Sequence, residues 1–193
     1  KGMPFLAHPR FEPNGTVWNL GVAGTKAVVW KLDAGGSLDS ATMIPLPRAS
    51  YLHDFTATKR HLVIVLQPWI QTRFMAPLVD GFAWRPEEGL QVLVIEKADL
   101  SKRRLYETDS FAFFHMGDAW EETDGTIRFD ICCEASPAFG IEGGRALMQG
   151  RRPAVTARPD LRLISLHPNG KASVEKPDLI AEFPKSDPRF AGE

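Results

Sequence analysis

Short apolar or alternating runs, each closed by a turn of Gly, Pro, Asn or Asp, recur from one end of this chain to the other. Helical periodicity is scarce beside them, and that contrast sets the fold class. Thr16 to Leu20 (TVWNL) follows the turn Pro13-Asn14-Gly15, and Lys26 to Leu32 (KAVVWKL) ends at Asp33-Ala34-Gly35-Gly36. His61 to Leu66 (HLVIVL), closed by Gln67-Pro68, and Leu90 to Glu96 (LQVLVIE) read as buried strands. Thr126 to Cys132 follows Asp124-Gly125, and Leu161 to Leu166 runs into His167-Pro168-Asn169-Gly170. The pattern predicts an all-β chain of roughly ten to twelve strands, too many for an immunoglobulin-like sandwich. At about forty residues per four-stranded propeller blade, the chain has length for about four blades. An arc of blades that does not close leaves strand edges unpaired, which is an aggregation hazard.

Composition narrows the function classes. One domain covering 1–193 is the default for 193 residues. The 23 basic and 24 acidic residues nearly cancel, to a net charge of -1, so no nucleic-acid or broadly anionic partner is expected. No apolar run approaches the ~20 residues that span a bilayer. The sequence opens in mid-pattern at Lys1-Gly2-Met3, without a leader-like segment, and stops at Ala191-Gly192-Glu193. The expectation is a piece of something longer. Cys132 and Cys133 are adjacent, so on a strand they point to opposite faces and read as packing residues of a reducing compartment, the cytoplasm.

Two segments break the strand-and-turn pattern. Trp69 to Val79 (WIQTRFMAPLV) is too apolar for an ordinary surface loop. Gly143 to Asp160 carries Arg145, Arg151, Arg152 and Arg158 among Gly and Pro, and reads as a solvated, mobile loop rather than an anion site.

The candidate site residues are histidines. His8 (AHPR), His53 (YLHDFT) and His115 (FFHMGDAWEE) lie 45 and 62 residues apart, beyond the reach of any one helix. Ligands so spaced converge only if separate strands deliver them to one axis, and imidazole is the commonest metal ligand. His53 sits beside Asp54 between Leu52 and Phe55, and His115 follows Phe111, Phe113 and Phe114. An unpartnered polar ring is costly in such surroundings. His61 and His167, at a strand start and in a Pro-Asn-Gly turn, read as surface residues.

AHPR with PNGTVWNLG, then YLHDFTATKRHLVIVLQP, then FFHMGDAWEE with DGTIRFDICCE, and finally AEFPKSDPRFAGE occur in one order along nearly the whole chain. In these motifs the sequence resembles the carotenoid cleavage oxygenases, which include carotenoid, apocarotenoid and lignostilbene dioxygenases and the retinal pigment epithelium isomerohydrolase. The resemblance implies part of a seven-bladed β-propeller with non-haem Fe(II) held on its axis by four histidines. On this match His8, His53 and His115 are metal ligands, and the fourth histidine has no counterpart here. Glu182, in Glu182-Phe183-Pro184, matches a family glutamate that accepts a hydrogen bond from the distal nitrogen of a ligand imidazole, that of His115. The family's His-x-x-Asn-Ala reads His115-Met116-Gly117-Asp118-Ala119 here, so an acceptor is kept, an amide donor is lost and a charge is added.

What the resemblance implies for function is insertion of both atoms of dioxygen across a C=C bond of a lipophilic polyene or stilbenoid, giving two carbonyl products. Fe(II) is the implied cofactor, dioxygen the co-substrate, and an apolar tunnel the protein's contribution. Two alternatives stand beside it: a non-catalytic propeller fragment that binds a lipophilic ligand, and a metal-dependent isomerase on the same site. Trp69–Val79 lies where the family has an apolar membrane-facing patch, so a peripheral membrane contact is expected there.

Overall fold

The computed structural model describes residues 4–154, 158–185 and 187–190. Among them, β1 (Arg10–Phe11), β2 (Val17–Ala23), β3 (Lys26–Leu32) and β4 (Leu38–Pro45) form an antiparallel sheet in sequence order. A second sheet begins with β5 (Thr56–Ala57) and β6 (His61–Leu66), is interrupted by the hairpin β7 (Trp69–Gln71) and β8 (Phe82–Trp84), and resumes with β9 (Leu90–Glu96) and β10 (Arg103–Thr108). Its order is β5-β6-β9-β10. The third contains β11 (Ala112–Glu121), β12 (Ile127–Glu134), β13 (Asp160–Leu166) and β14 (Ala172–Glu175), with the helix α1 (Ala138–Met148) inserted between β12 and β13. The described residues thus build three four-stranded sheets rather than the four expected from the chain's length, because the β7–β8 hairpin and α1 take up residues that another sheet would need. The strand total exceeds the expected ten to twelve through two-residue strands (β1 and β5) too short to leave a periodic signal.

The turns close as their side chains dictate. Asn14 Oδ1 accepts the Thr16 amide at 2.9 Å, Asp124 Oδ1 the Thr126 amide at 2.8 Å, and Asp33 Oδ1 those of Gly35 and Ser37 at 2.9 Å. Each such bond mimics a backbone turn. Gly15 and Gly125 then take φ near +86°, which other residues adopt only with strain.

The apolar runs of the second sheet follow from its place between the other two. Val63 and Val65 of β6, with Val92 and Val94 of β9, pack into a core with Phe113, Phe129 and Ile164 of the third sheet. The alternate residues Leu62, Ile64, Leu66, Leu93 and Ile95 pack against Leu20, Val29 and Ile44 of the first. Buried on both faces, these strands have no polar alternation to show. Each aliphatic side chain removed from water there contributes about 1.5–3 kcal/mol.

Residues 143–148 depart from their expected reading as part of a mobile loop, while 155–157 of that stretch lie outside the described residues. These six residues belong to α1, which buries Gly143 and Ala146. Gly140, Gly143 and Gly144 depress helix propensity and mask the period. Gly140 is there for space: a Cβ at that position would stand 2.6 Å from Cζ of Phe114. Arg145 is committed to Asp80 in an ion pair, and Arg151 Nε bonds Gln149 Oε1 at 3.0 Å.

Candidate metal centre

Each of the three histidines accompanies the first strand of a different sheet. His8 lies just ahead of β1, His53 just ahead of β5, and His115 inside β11. His115 falls where the β11–β12 register shifts, between Phe113 and Met116. Such an irregularity re-aims a side chain that regular pleating would send elsewhere. The strand itself is pinned to the second sheet by buried Gln67, which donates to the Phe113 carbonyl and accepts the Phe113 amide, both at 3.2 Å.

The result is a near-equilateral triangle of imidazoles. Ring centroids are 5.0 Å apart for His8 and His53, 5.1 Å for His8 and His115, and 5.2 Å for His53 and His115. The Nε2 atoms of His8 and His53 are 3.2 Å apart, and one ring nitrogen from each of the three lies within 4.8 Å of the others. Burial is the largest influence on both His8 and His53 and lowers their basicity. The positive end of the neighbouring imidazoles lowers it further, against the attraction of Asp54. Both rings therefore favour the neutral form that offers a lone pair.

Glu182 lies against His115: Nδ1 donates to Glu182 Oε1, the tautomer that leaves the lone pair on Nε2. Phe183 holds a left-handed φ of 55° and lays its ring on His115 at 4.0 Å. A non-glycine residue in that region costs on the order of 1–3 kcal/mol and persists where surroundings fix it. Asp118 accepts the Ala119 amide at 2.9 Å, and its own amide donates to Asp130 Oδ1 at 2.9 Å. Burial raises the basicity of Asp130, against the hydrogen bond from the Asp118 amide and with the Asp118 charge adding to it. Gly117 is required beside this pair, since a Cβ there would sit 1.9 Å from Asp130 Oδ2.

An aromatic wall flanks the triangle. Tyr51 runs nearly parallel to His53 (6.4 Å, 8°) and packs on Trp69 at 4.2 Å. Phe114 stands edge-on to His53 at 5.6 Å, and Phe139 of α1 stands edge-on to Phe114 at 5.7 Å. Burial keeps the Tyr51 hydroxyl protonated above its usual range. Trp69–Val79 divides in two: Trp69 is buried in this wall, whereas Phe74, Met75 and Leu78 are exposed, Phe74 to 82%.

Several contacts beside the triangle leave no local signal in the sequence, among them the hydrogen bonds that Arg10 makes to Asp54 and to the Met116 carbonyl. His61 departs from its surface reading. It is half-buried, with Nδ1 3.0 Å from Glu121 Oε1, at the end of the sheets away from the three histidines. The same carboxylate accepts from Thr58 Oγ and from Arg60, and these bonds overcome the effect of burial to hold Glu121 down at about 2. His167 stays at its hairpin against Ser173 Oγ at 3.0 Å. Cys132 and Cys133 are free and buried, with burial pushing the Cys132 thiol up to about 12, which suits packing rather than reactivity.

Residues 1–193 match the family described as retinal pigment epithelial membrane protein. The chain is 28% identical over 153 residues to a mitochondrial carotenoid-cleaving dioxygenase of Mustela putorius furo, covering 66% of this chain and 28% of that protein. It is 27% identical over 148 residues to a carotenoid isomerooxygenase of Galleria mellonella, covering 65% of this chain and 28% of that protein. A cobalt-substituted Synechocystis apocarotenoid oxygenase superposes with a TM-score of 0.78 at 18% identity, covering 100% of this chain and 43% of that one. A chimera of that oxygenase with the retinal pigment epithelial protein gives 0.80 at 16% identity with the same coverage. The chain therefore spans well under half the length of these relatives. The structural likeness identifies the three sheets as part of a β-propeller.

Proposed function

The chain belongs to the retinal pigment epithelial membrane protein family, and on that premise we propose that it supplies three histidines of a non-haem Fe(II) centre in a dioxygenase. That enzyme cleaves a C=C bond of a carotenoid, apocarotenoid or stilbenoid with dioxygen, giving two carbonyl products. The observation that carries this reading is the convergence of His8, His53 and His115 from the first strands of three successive sheets. A shared proton satisfies two of the three ring nitrogens, whereas a cation accepts a lone pair from each. Neutral imidazoles suit iron, as they do zinc, copper or nickel, so the donor set fits. Fe(II) bound there would supply activation of dioxygen beside an electron-rich alkene.

The chain's own residues do the rest. Burial keeps His8 and His53 neutral, and Glu182 fixes the tautomer and angle of His115. Tyr51, Phe114, Phe139 and Phe183 offer ring faces and edges beside the triangle, a lining suited to a flat, apolar polyene and poor at holding water. Farther out, exposed Phe74, Met75 and Leu78 are joined to α1, with its exposed Leu147 and Met148, through the Arg145–Asp80 ion pair. We read this rim as the place where a lipophilic substrate is collected from a bilayer, a peripheral contact. No helix among the described residues is long and apolar enough to cross a membrane.

Metal analysis of the purified protein with the unsubstituted and His53→Ala chains tests the centre. Stoichiometric iron, lost with cleavage activity on substitution, is expected; iron-independent cleavage overturns it. The relatives named isomerooxygenases favour isomerisation on the same site as a second reading. Product masses separate the two, because cleavage gives two carbonyl fragments and isomerisation leaves the mass unchanged.

A further inference from the structure

We propose that Arg10 and Asp54 are positioning residues: an ion-pair clamp that holds the three imidazoles in register before any metal binds. The proposal rests on reading His8, His53 and His115 as ligands, and it concerns what fixes them. Arg10 lies two residues after His8, Asp54 directly after His53, and Met116 directly after His115. All three segments meet in one set of bonds. Arg10 Nη2 donates to Asp54 Oδ1 at 2.8 Å and to the Met116 carbonyl at 3.1 Å, and Arg10 Nε donates to the Phe55 carbonyl at 2.6 Å. Asp54 in turn accepts the Phe55 amide on Oδ1 at 2.7 Å and the Met116 amide on Oδ2 at 2.8 Å.

The location of these bonds gives them their importance. Met116 is the single residue of β11 paired with β12 between the register shifts at Phe113/Met116 and Met116/Ala119. Regular sheet pairing therefore does little to fix the stretch that carries His115. The clamp fixes it instead, taking the Met116 amide on Asp54 and its carbonyl on Arg10. The Asp54 side chain is 1% exposed and that of Arg10 19%, so water competes weakly for either. Charge-assisted bonds of this kind are shorter and stronger than neutral ones, and a planar guanidinium reaches several acceptors that an ammonium cannot hold together. Because the pair is formally neutral, it adds no net charge beside the cation. Ligands already held in place lose less freedom when a metal binds, which raises affinity without any new contact to the metal.

Titration with Co(II) as the probe, followed by its visible absorption and by competition with a chelator, tests the clamp in the purified protein. Arg10→Met and Asp54→Asn are each expected to weaken Co(II) binding by about 10- to 100-fold. The double variant should fall little further, since both changes break one unit. Arg10→Lys, which keeps the charge and spares the fold if Arg10→Met does not, is expected not to restore affinity. Glu121→Gln serves as control: it breaks an ionic cluster between the second and third sheets, at the end away from His8, His53 and His115, and should leave Co(II) affinity unchanged. Unaltered affinity in the Arg10 and Asp54 variants, or an equal loss in Glu121→Gln, overturns the proposal. Amide hydrogen exchange in the metal-free protein gives a readout independent of metal. Arg10→Met leaves Asp54 in place as acceptor, yet the Phe55 and Met116 amides should exchange faster; unchanged exchange overturns the clamp. If the unsubstituted protein takes up no Co(II), the ligand reading fails, and exchange at Phe55 and Met116 still decides whether Arg10 and Asp54 order these segments.

Discussion

Glu182 accepts a hydrogen bond from Nδ1 of His115 across 67 residues of chain. The bond selects the tautomer with its lone pair on Nε2. A carboxylate there also raises ligand basicity. Glu182→Ala is expected to weaken metal binding by about 10- to 100-fold, and Glu182→Gln, which keeps an acceptor without the charge, by less. Chelator competition measures both. Equal affinity in all three proteins would remove Glu182 from the site.

What the sequence discloses of this arrangement depends on whether the cause is local. The turns at Asn14-Gly15 and Asp124-Gly125 are legible because one side chain and one glycine close each of them. The double-sided burial of β6 is legible because every position after His61 in HLVIVL is apolar. The three histidines stand out because their spacing allows convergence only from separate strands. Glu182 is legible as a partner of His115 only through family resemblance, since no rule of spacing joins residues 67 apart. Nothing local joins Asp54 to Arg10, 44 residues away. The helix α1 is hidden by its glycines, and the steric reason for one of them, Gly140, lies on β11 at Phe114.

Gly140 and Gly144 of that helix make a matched test of the packing argument. A Cβ at Gly140 meets the Phe114 ring at 2.6 Å, whereas one at Gly144 meets nothing within 4 Å. Alanine in a helix gains about 0.8–1 kcal/mol over glycine. Overpacking costs about 1–3 kcal/mol. Gly144→Ala should therefore stabilise the protein by up to about 1 kcal/mol, and Gly140→Ala should destabilise it or at best break even. Urea unfolding midpoints decide; equal stabilisation by both substitutions would show that Phe114 does not constrain the helix.

The Glu121 cluster predicts how stability responds to acid. Bonds from Arg60, Thr58 and His61 hold Glu121 at about 2, below its ordinary 4.5, despite its burial. A carboxyl depressed in the folded state binds fewer protons there than in the unfolded chain. Its contribution is thus fully present above about pH 4.5 and is lost as pH falls from there towards 2. Denaturant midpoints measured across that window should fall more steeply for the unsubstituted protein than for Glu121→Gln. Parallel profiles would show that the cluster carries no such linkage.

Membrane contact makes its own demand on the exposed rim. Phe74 is 82% exposed and Met148 91%, so a charge at either disturbs little of the folded protein. Ile70 is a poorer probe, being half-buried in β7 and paired with Ala83, so a charge there would damage the hairpin as well as any contact with lipid. Burying one large apolar side chain is worth about 1.5–3 kcal/mol, or roughly tenfold or more in partitioning. Phe74→Glu and Met148→Glu should therefore each lower co-sedimentation with neutral phosphatidylcholine vesicles by about that factor, with the unfolding midpoint unchanged. Neutral lipid is the sharper choice of vesicle, because the net charge of -1 gives no electrostatic attraction to imitate insertion. Unchanged sedimentation of the double variant would leave the rim as ordinary exposed surface and require another route to the triangle for a lipophilic substrate.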